Sequence, residues 1–159
     1  MTGKGTPATT AATRAGITVT VHDLGRLDGD AGYGWAAAAA LAVAPERVFK
    51  TLVVRADAEL AVAIVPVAGD ADLKAVAAAV GAKRATLAER VDAERATGYV
   101  IGGISPLGQR RRLTTVLDAG AMAFATIFVS GGRRGLELEL APGDLVAATA
   151  AVVAPIAAT

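Results

Sequence analysis

The chain has no cysteine in its 159 residues, which removes disulfide bonds, thiolate zinc sites and a protein-borne cysteine nucleophile together. Aromatic residues are scarce, at 4% against 53% hydrophobic residues. Much of that hydrophobic share is alanine, so the core is expected to be built of small aliphatic side chains. Histidine occurs once, as His22, and one imidazole with scattered carboxylates specifies no metal site. A Ser-His-Asp triad would have to use His22, and no spacing supports one. Excess charge is lacking as well: the net charge is +1, which gives no global signal for nucleic acid. Local basic clusters remain at Arg110-Arg111-Arg112, Arg133-Arg134 and Lys83-Arg84. Long apolar runs are missing too. Trp35 to Ala44 and Leu145 to Ile156 fall short of the roughly 20 residues that span a membrane, and Pro155 interrupts the second. Met1 to Thr10 lacks an apolar stretch behind a basic start, so no secretion signal is read there. One cytoplasmic domain over residues 1–159 is expected, long enough to bury a contiguous core and needing no cofactor.

Thr6 to Arg14 carries the signals of a short helix, with Thr6 as cap, Pro7 at the first position and Gly16 behind it. Ile17 to His22 alternates as a half-buried strand does. Asp23 to Gly34 is rich in glycine and aspartate and reads as a loop, followed by a helix from Trp35 to Val43. Val48 to Arg55 and Leu60 to Val67, separated by a turn at Ala56 to Glu59, predict a β-hairpin. Asp72 to Val80 has helical spacing ahead of Gly81, and Thr86 to Arg95 reads as another helix with Thr86 and Glu89 as a capping box. Gly98 to Gly103, Leu113 to Leu117, Thr126 to Val129 and Leu136 to Leu140 read as strands, and Pro142 to Ala150 as a closing helix. Hairpins mixed with helices, without regular βαβ alternation, predict an α+β fold with a mixed sheet curling toward a barrel.

Three places could carry chemistry. Lys50 lies in an apolar, β-branched run, where it either faces water from a half-exposed strand or points into a cleft to meet a phosphate or carboxyl oxygen. Gly102-Gly103-Ile104-Ser105-Pro106-Leu107-Gly108-Gln109 joins a glycine pair to a Ser-Pro step, which allows backbone groups to approach a ligand or simply makes a turn. It fits neither a nucleophile elbow nor a Walker loop nor a dinucleotide fingerprint. Ser130-Gly131-Gly132-Arg133-Arg134-Gly135 sets glycine amides beside two guanidiniums, as suits a phosphate or RNA backbone, and equally suits a solvated hairpin turn.

Taken in order, Phe49 to Val54, Thr97 to Gln109 and Thr126 to Leu136 resemble the YbaK family of Cys-tRNA(Pro) deacylases, with Val65 to Gly69 and Asp72 to Lys74 extending the match over most of the chain. The resemblance implies a free-standing homologue of the editing domain of prolyl-tRNA synthetase, a curved mixed sheet surrounded by helices. It implies that Lys50, Gly102 and Ser130 act in catalysis and that Thr51, Gly103, Ile104, Ser105, Pro106 and Gly131 hold the 3′-terminal aminoacyl adenosine. Arg110, Arg111, Arg133 and Arg134 are then expected to meet RNA, and prolyl-tRNA synthetase to supply tRNA identity. The implied reaction uses the cysteine substrate's own thiol against its ester carbonyl. A deacylase for alanine or another small residue, and a non-catalytic module binding tRNA ends or a synthetase, are the alternatives. One departure stands out: relatives often carry His-Thr-Tyr at the end of the first strand, where this chain has His22-Asp23-Leu24. The segment from Gly25 to Trp35 is likewise unusual for the family.

Overall fold

The computed structural model describes residues 5–25, 27 and 33–158. The chain enters the fold through α1 (Pro7–Ala15). Thr6 caps it in a reciprocal capping box with Thr9, and Gly16 closes it in the left-handed conformation. Strand β1 (Thr20–Asp23) begins three residues later than its alternation predicts. Of the loop expected over 23–34, positions 26 and 28–32 lie outside the described residues, and its end is already helix α2 (Tyr33–Leu41). A 3-10 turn at Pro45–Arg47 then leads into β2 (Phe49–Ala56) and β3 (Glu59–Pro66), the expected hairpin. Helix α3 (Leu73–Val80) sits between an Asp72 cap, whose carboxylate accepts from the Lys74 and Ala75 amides, and a left-handed Gly81.

Two expectations fail in the next stretch. Thr86 to Arg95 is not one helix: Ala85–Leu87 forms β4, and α4 (Arg90–Thr97) starts only after Glu89. Thr86 lies opposite Arg55 in a sheet ladder, and no side chain caps α4, so strand pairing prevails over the capping-box pattern. Gly98 to Gly103 is an irregular turn, not a strand. Gly98 and Gly102 take φ of 81° and 96°, which break the extended chain and leave Val100 and Ile101 exposed. Beyond it, β5 (Thr114–Asp118), β6 (Ile127–Ser130), β7 (Leu136–Leu140) and α5 (Pro142–Thr149) follow as read to within about a residue. The tail of the last apolar run adds an unread strand, β8 (Val152–Ala154).

The strands form two sheets, one of three in the order β1-β7-β6 and one of five in the order β4-β2-β3-β5-β8. The larger is mixed, antiparallel at β4-β2-β3 and parallel at β3-β5-β8. The α+β expectation with a mixed sheet stands, while a barrel-like closure is not found: among the described residues the two sheets are linked by a bridge between Val48 and Phe128, and neither is closed. One face of β2 and β3, carrying Phe49, Val53, Val62 and Ile64, joins the main core with β6, β7 and α5. The other, carrying Val54, Ala61, Ala63 and Val65, packs under α3. Among the described residues no helix is long and apolar enough to cross a membrane.

Asp118 ties the far edge together. It is buried, with Oδ1 accepting from the amides of Ile156 at 2.9 Å and Ala157 at 3.0 Å and Oδ2 accepting from Gly120 at 3.0 Å. Asp118→Ala orphans those donors and is expected to cost about 2–4 kcal/mol, read as a lower urea midpoint at unchanged slope.

Candidate functional site

Strand β2 is paired with β3 along its whole length, but its other edge is covered only at the ends. β4 meets it at Val54 to Ala56, and the Phe128 bridge meets Val48. The Val48 carbonyl accepts from Val67 on the β3 side and the Val53 carbonyl accepts from Ala88 on the other. Strand alternation therefore turns the backbone groups of Thr51 toward the uncovered edge. A cavity of about 730 Å³ lies along this gap. A space at a strand edge is reached from both faces of the strand, so Lys50 and Thr51 both line it although successive side chains point oppositely.

Lys50 is neither fully buried nor free. Its side chain is 33% exposed, and Nζ stands 3.4 Å from Oδ1 of Asp70, itself 92% exposed on the rim. Thr51 is buried, and its Oγ1 has no hydrogen-bond partner among the described residues. Gly102, Ile104 and Ser130 line the same cavity. Gly103 stands beside it, where a Cβ would lie 2.9 Å from Cα of Arg133, so the two glycine loops press backbone to backbone. Ser105 and Pro106 do not line the space. Ser105 is fully buried, its hydroxyl accepting from the Leu107 amide at 3.2 Å, and Pro106 lines a separate small cleft near α1. Gly131 is committed inward as well, donating to Leu136 at 2.7 Å and accepting from the Thr6 hydroxyl.

The arginines divide. Arg110 and Arg111 are exposed, away from the cavity, with their backbone amides bonded to the end of α4. Arg133 pairs with Asp23 at 3.1 Å. The Arg134 guanidinium lies 5.0 Å over the ring of Tyr33, a cation–π contact. His22 is bonded to Glu139 at 2.9 Å; that carboxylate also receives Arg47, which links the 3-10 turn before β2 to β6 and β7. Among the described residues no cluster of ligating side chains could hold a metal ion.

Sequence reasoning missed the groups that wall the cavity: Tyr33 and Trp35 on α2, Leu87 on β4, Ile101, and behind Tyr33 the carboxyl of Glu137. Glu137 lies in a Leu-Glu-Leu-Glu-Leu strand, whose alternation gives no sign that its polar face is covered. It is 2% exposed, its Oε2 accepts from the Tyr33 hydroxyl at 2.8 Å, and its Oε1 has no partner among the described residues. Burial raises its pKa to about 7, against which the Tyr33 hydrogen bond works. The Tyr33 hydroxyl is pushed well above the ordinary tyrosine value by burial and by the Glu137 charge. That hydroxyl also accepts from the Gly135 amide at 2.9 Å, while the Gly135 carbonyl accepts from Leu24.

The model of the aminoacyl-tRNA editing domain family matches residues 34–148. A protein of Enterococcus faecalis named as a candidate Cys-tRNA(Pro)/Cys-tRNA(Cys) deacylase, EbsC, is 38% identical over 113 residues, spanning 70% of this chain and 69% of its own. Among solved structures, the hypothetical protein APE2540 superposes with a TM-score of 0.86 at 25% identity over 96% of this chain and all of the other. A candidate trans-editing enzyme for prolyl-tRNA synthetase superposes with a TM-score of 0.83 at 22% identity, over 99% of this chain and 100% of its own, a likeness of fold.

The raised pKa of Glu137 makes stability depend on pH. Between the ordinary value of 4.5 and about 7 the folded state holds a proton that the unfolded state has released. This contribution is therefore complete below 4.5 and lost as pH rises through about 7. Unfolding free energy is expected to drop by about 3 kcal/mol across that window, and Glu137→Gln to flatten the drop, as urea titrations at pH 5 and pH 8 would measure.

Proposed function

The chain belongs to the aminoacyl-tRNA editing domain family, and on that premise we propose that it is a trans-editing deacylase that clears Cys-tRNA(Pro). The observation that carries the site assignment is the buried, unpartnered hydroxyl of Thr51 beside Lys50 on an uncovered strand edge. An orphaned buried hydroxyl costs about 1–3 kcal/mol, a cost that a ligand supplying the missing hydrogen bond removes. The cavity is large enough for a drug-sized ligand, and an aminoacyl adenosine is of that class. Lys50 offers a cation to a substrate oxygen, and Ser130 and Gly102 frame the far wall.

The chain has no thiol of its own, and cysteine on tRNA carries one next to its ester. In the proposed step the substrate sulfur bonds to the ester carbonyl carbon as the carbon–oxygen bond to ribose breaks. The thiol proton passes to the departing ribose oxygen, leaving free tRNA and a cyclic thiolactone. Holding the cysteine folded toward its ester supplies the proximity that such a step needs. Exposed Arg110 and Arg111 suit contact with tRNA phosphates, and prolyl-tRNA synthetase, acting in the same cytoplasm, would supply tRNA identity.

Lys50→Ala is expected to lower single-turnover deacylation of Cys-tRNA(Pro) about 100-fold or more while stability moves by no more than about 0.5 kcal/mol. Normal turnover by the folded variant would overturn the site. Thr51→Val keeps the shape and deletes the orphan, so it should leave stability unchanged or raise it by up to about 1 kcal/mol while slowing deacylation about tenfold. Salt-sensitive tRNA binding without ester cleavage at substoichiometric protein would replace the enzyme with a binding module.

A further inference from the structure

Tyr33 is held at several points. Its hydroxyl is bonded to Glu137 and to the Gly135 amide at 2.8 and 2.9 Å, and the Arg134 guanidinium covers its ring. The start of its helix is pressed onto the main hairpin: a Cβ on Gly34 would lie 2.5 Å from Cγ1 of Val67. Gly135 has no slack either, since a Cβ there would stand 2.1 Å from the Gly25 carbonyl oxygen. Tyr33 nonetheless lines the cavity that Lys50 and Thr51 also line. A ring held by its backbone, its face and its hydroxyl is a rigid wall. A phenylalanine packed on an apolar residue would fill the same space without burying a carboxyl, which is costly in a protein interior.

We propose that Tyr33 is the specificity-determining wall of the cavity, and that Glu137 is a positioning residue that fixes it so that small aminoacyl side chains are admitted and bulky ones refused. The substrate class rests on the deacylase reading; the wall itself rests on the contacts above. With the hydroxyl tethered, the ring cannot swing toward solvent to make room, so the size limit is built in. Discrimination of this kind, by the edge of an apolar pocket, is worth roughly 10- to 200-fold per methylene-sized difference.

The test compares wild type, Tyr33→Ala, Tyr33→Phe, Glu137→Leu and Glu137→Gln in single-turnover cleavage of cysteinyl- and leucyl-tRNA. Tyr33→Ala is expected to narrow the ratio of cysteinyl to leucyl cleavage at least about tenfold. Tyr33→Phe and Glu137→Leu, which free the ring, should narrow it about threefold, and Glu137→Gln, which keeps an acceptor for the hydroxyl, should hold it within about twofold. A folded Tyr33→Ala that keeps the wild-type ratio overturns the proposal, and should Glu137→Leu fail to fold, the Tyr33 variants decide alone. If wild type cleaves neither ester, the deacylase reading has failed separately. The wall is then read from binding of non-hydrolysable cysteinyl and leucyl amides of adenosine, followed by fluorescence of Trp35, the one tryptophan and a cavity residue. Preference for the smaller amide that is lost in Tyr33→Ala upholds the wall; an unchanged preference, or none in wild type, overturns it.

Discussion

The site depends on a strand that is left half unpaired. β2 takes its full ladder from β3, yet its other edge meets partners only at Val54 to Ala56 and, through one bridge, at Val48. An open edge normally invites another strand. Here residues of α2, Leu87, Ala88 and both glycine loops line the space beside that edge, so the gap becomes a cleft.

What keeps the gap open is close packing of the two glycine loops. Gly103 lies against the backbone of Arg133 and Arg134, and a Cβ on Gly132 would stand 3.0 Å from both Tyr99 and Thr6. Tyr99 is buried beneath them with its hydroxyl on the Leu107 carbonyl at 2.6 Å, and burial pushes its pKa up to about 12. Thr6 bonds the Gly131 carbonyl while capping α1, so the first helix clamps a loop that lies 125 residues on. Glycine serves here as the residue that permits backbone to touch backbone. The Ser-Pro step between the loops is turned inward to brace them, and contact with the cavity falls to Gly102 and Ile104.

How much of this was legible follows from the range of each interaction. α1, α3 and the β2-β3 hairpin were readable because caps, turns and alternation act within a few residues. Lys50 and the two loops were readable as candidates from their own residues and Thr51 through family resemblance, and the cavity collects five of those candidate residues. β4 and the turn at Gly98 were misread because a three-residue strand owes its form to pairing with Val54 to Ala56, and an apolar run with glycines at positive φ need not extend. Glu137 was invisible: its strand spaces Leu and Glu as a half-exposed strand does, and its cover includes Tyr33, 104 residues earlier.

The polar groups around the cavity fall into two kinds, and the difference bears on how they act. Half-buried Tyr33 is bonded to buried Glu137 and accepts a second hydrogen bond from Gly135, so its hydroxyl cannot turn away without leaving the Glu137 carboxyl without that donor. Lys50 faces Asp70 at 3.4 Å across a rim where Asp70 is almost wholly in water, a pairing worth little. A cation so loosely held can exchange that partner at small cost, whereas the Tyr33 hydroxyl is fixed by two hydrogen bonds at once.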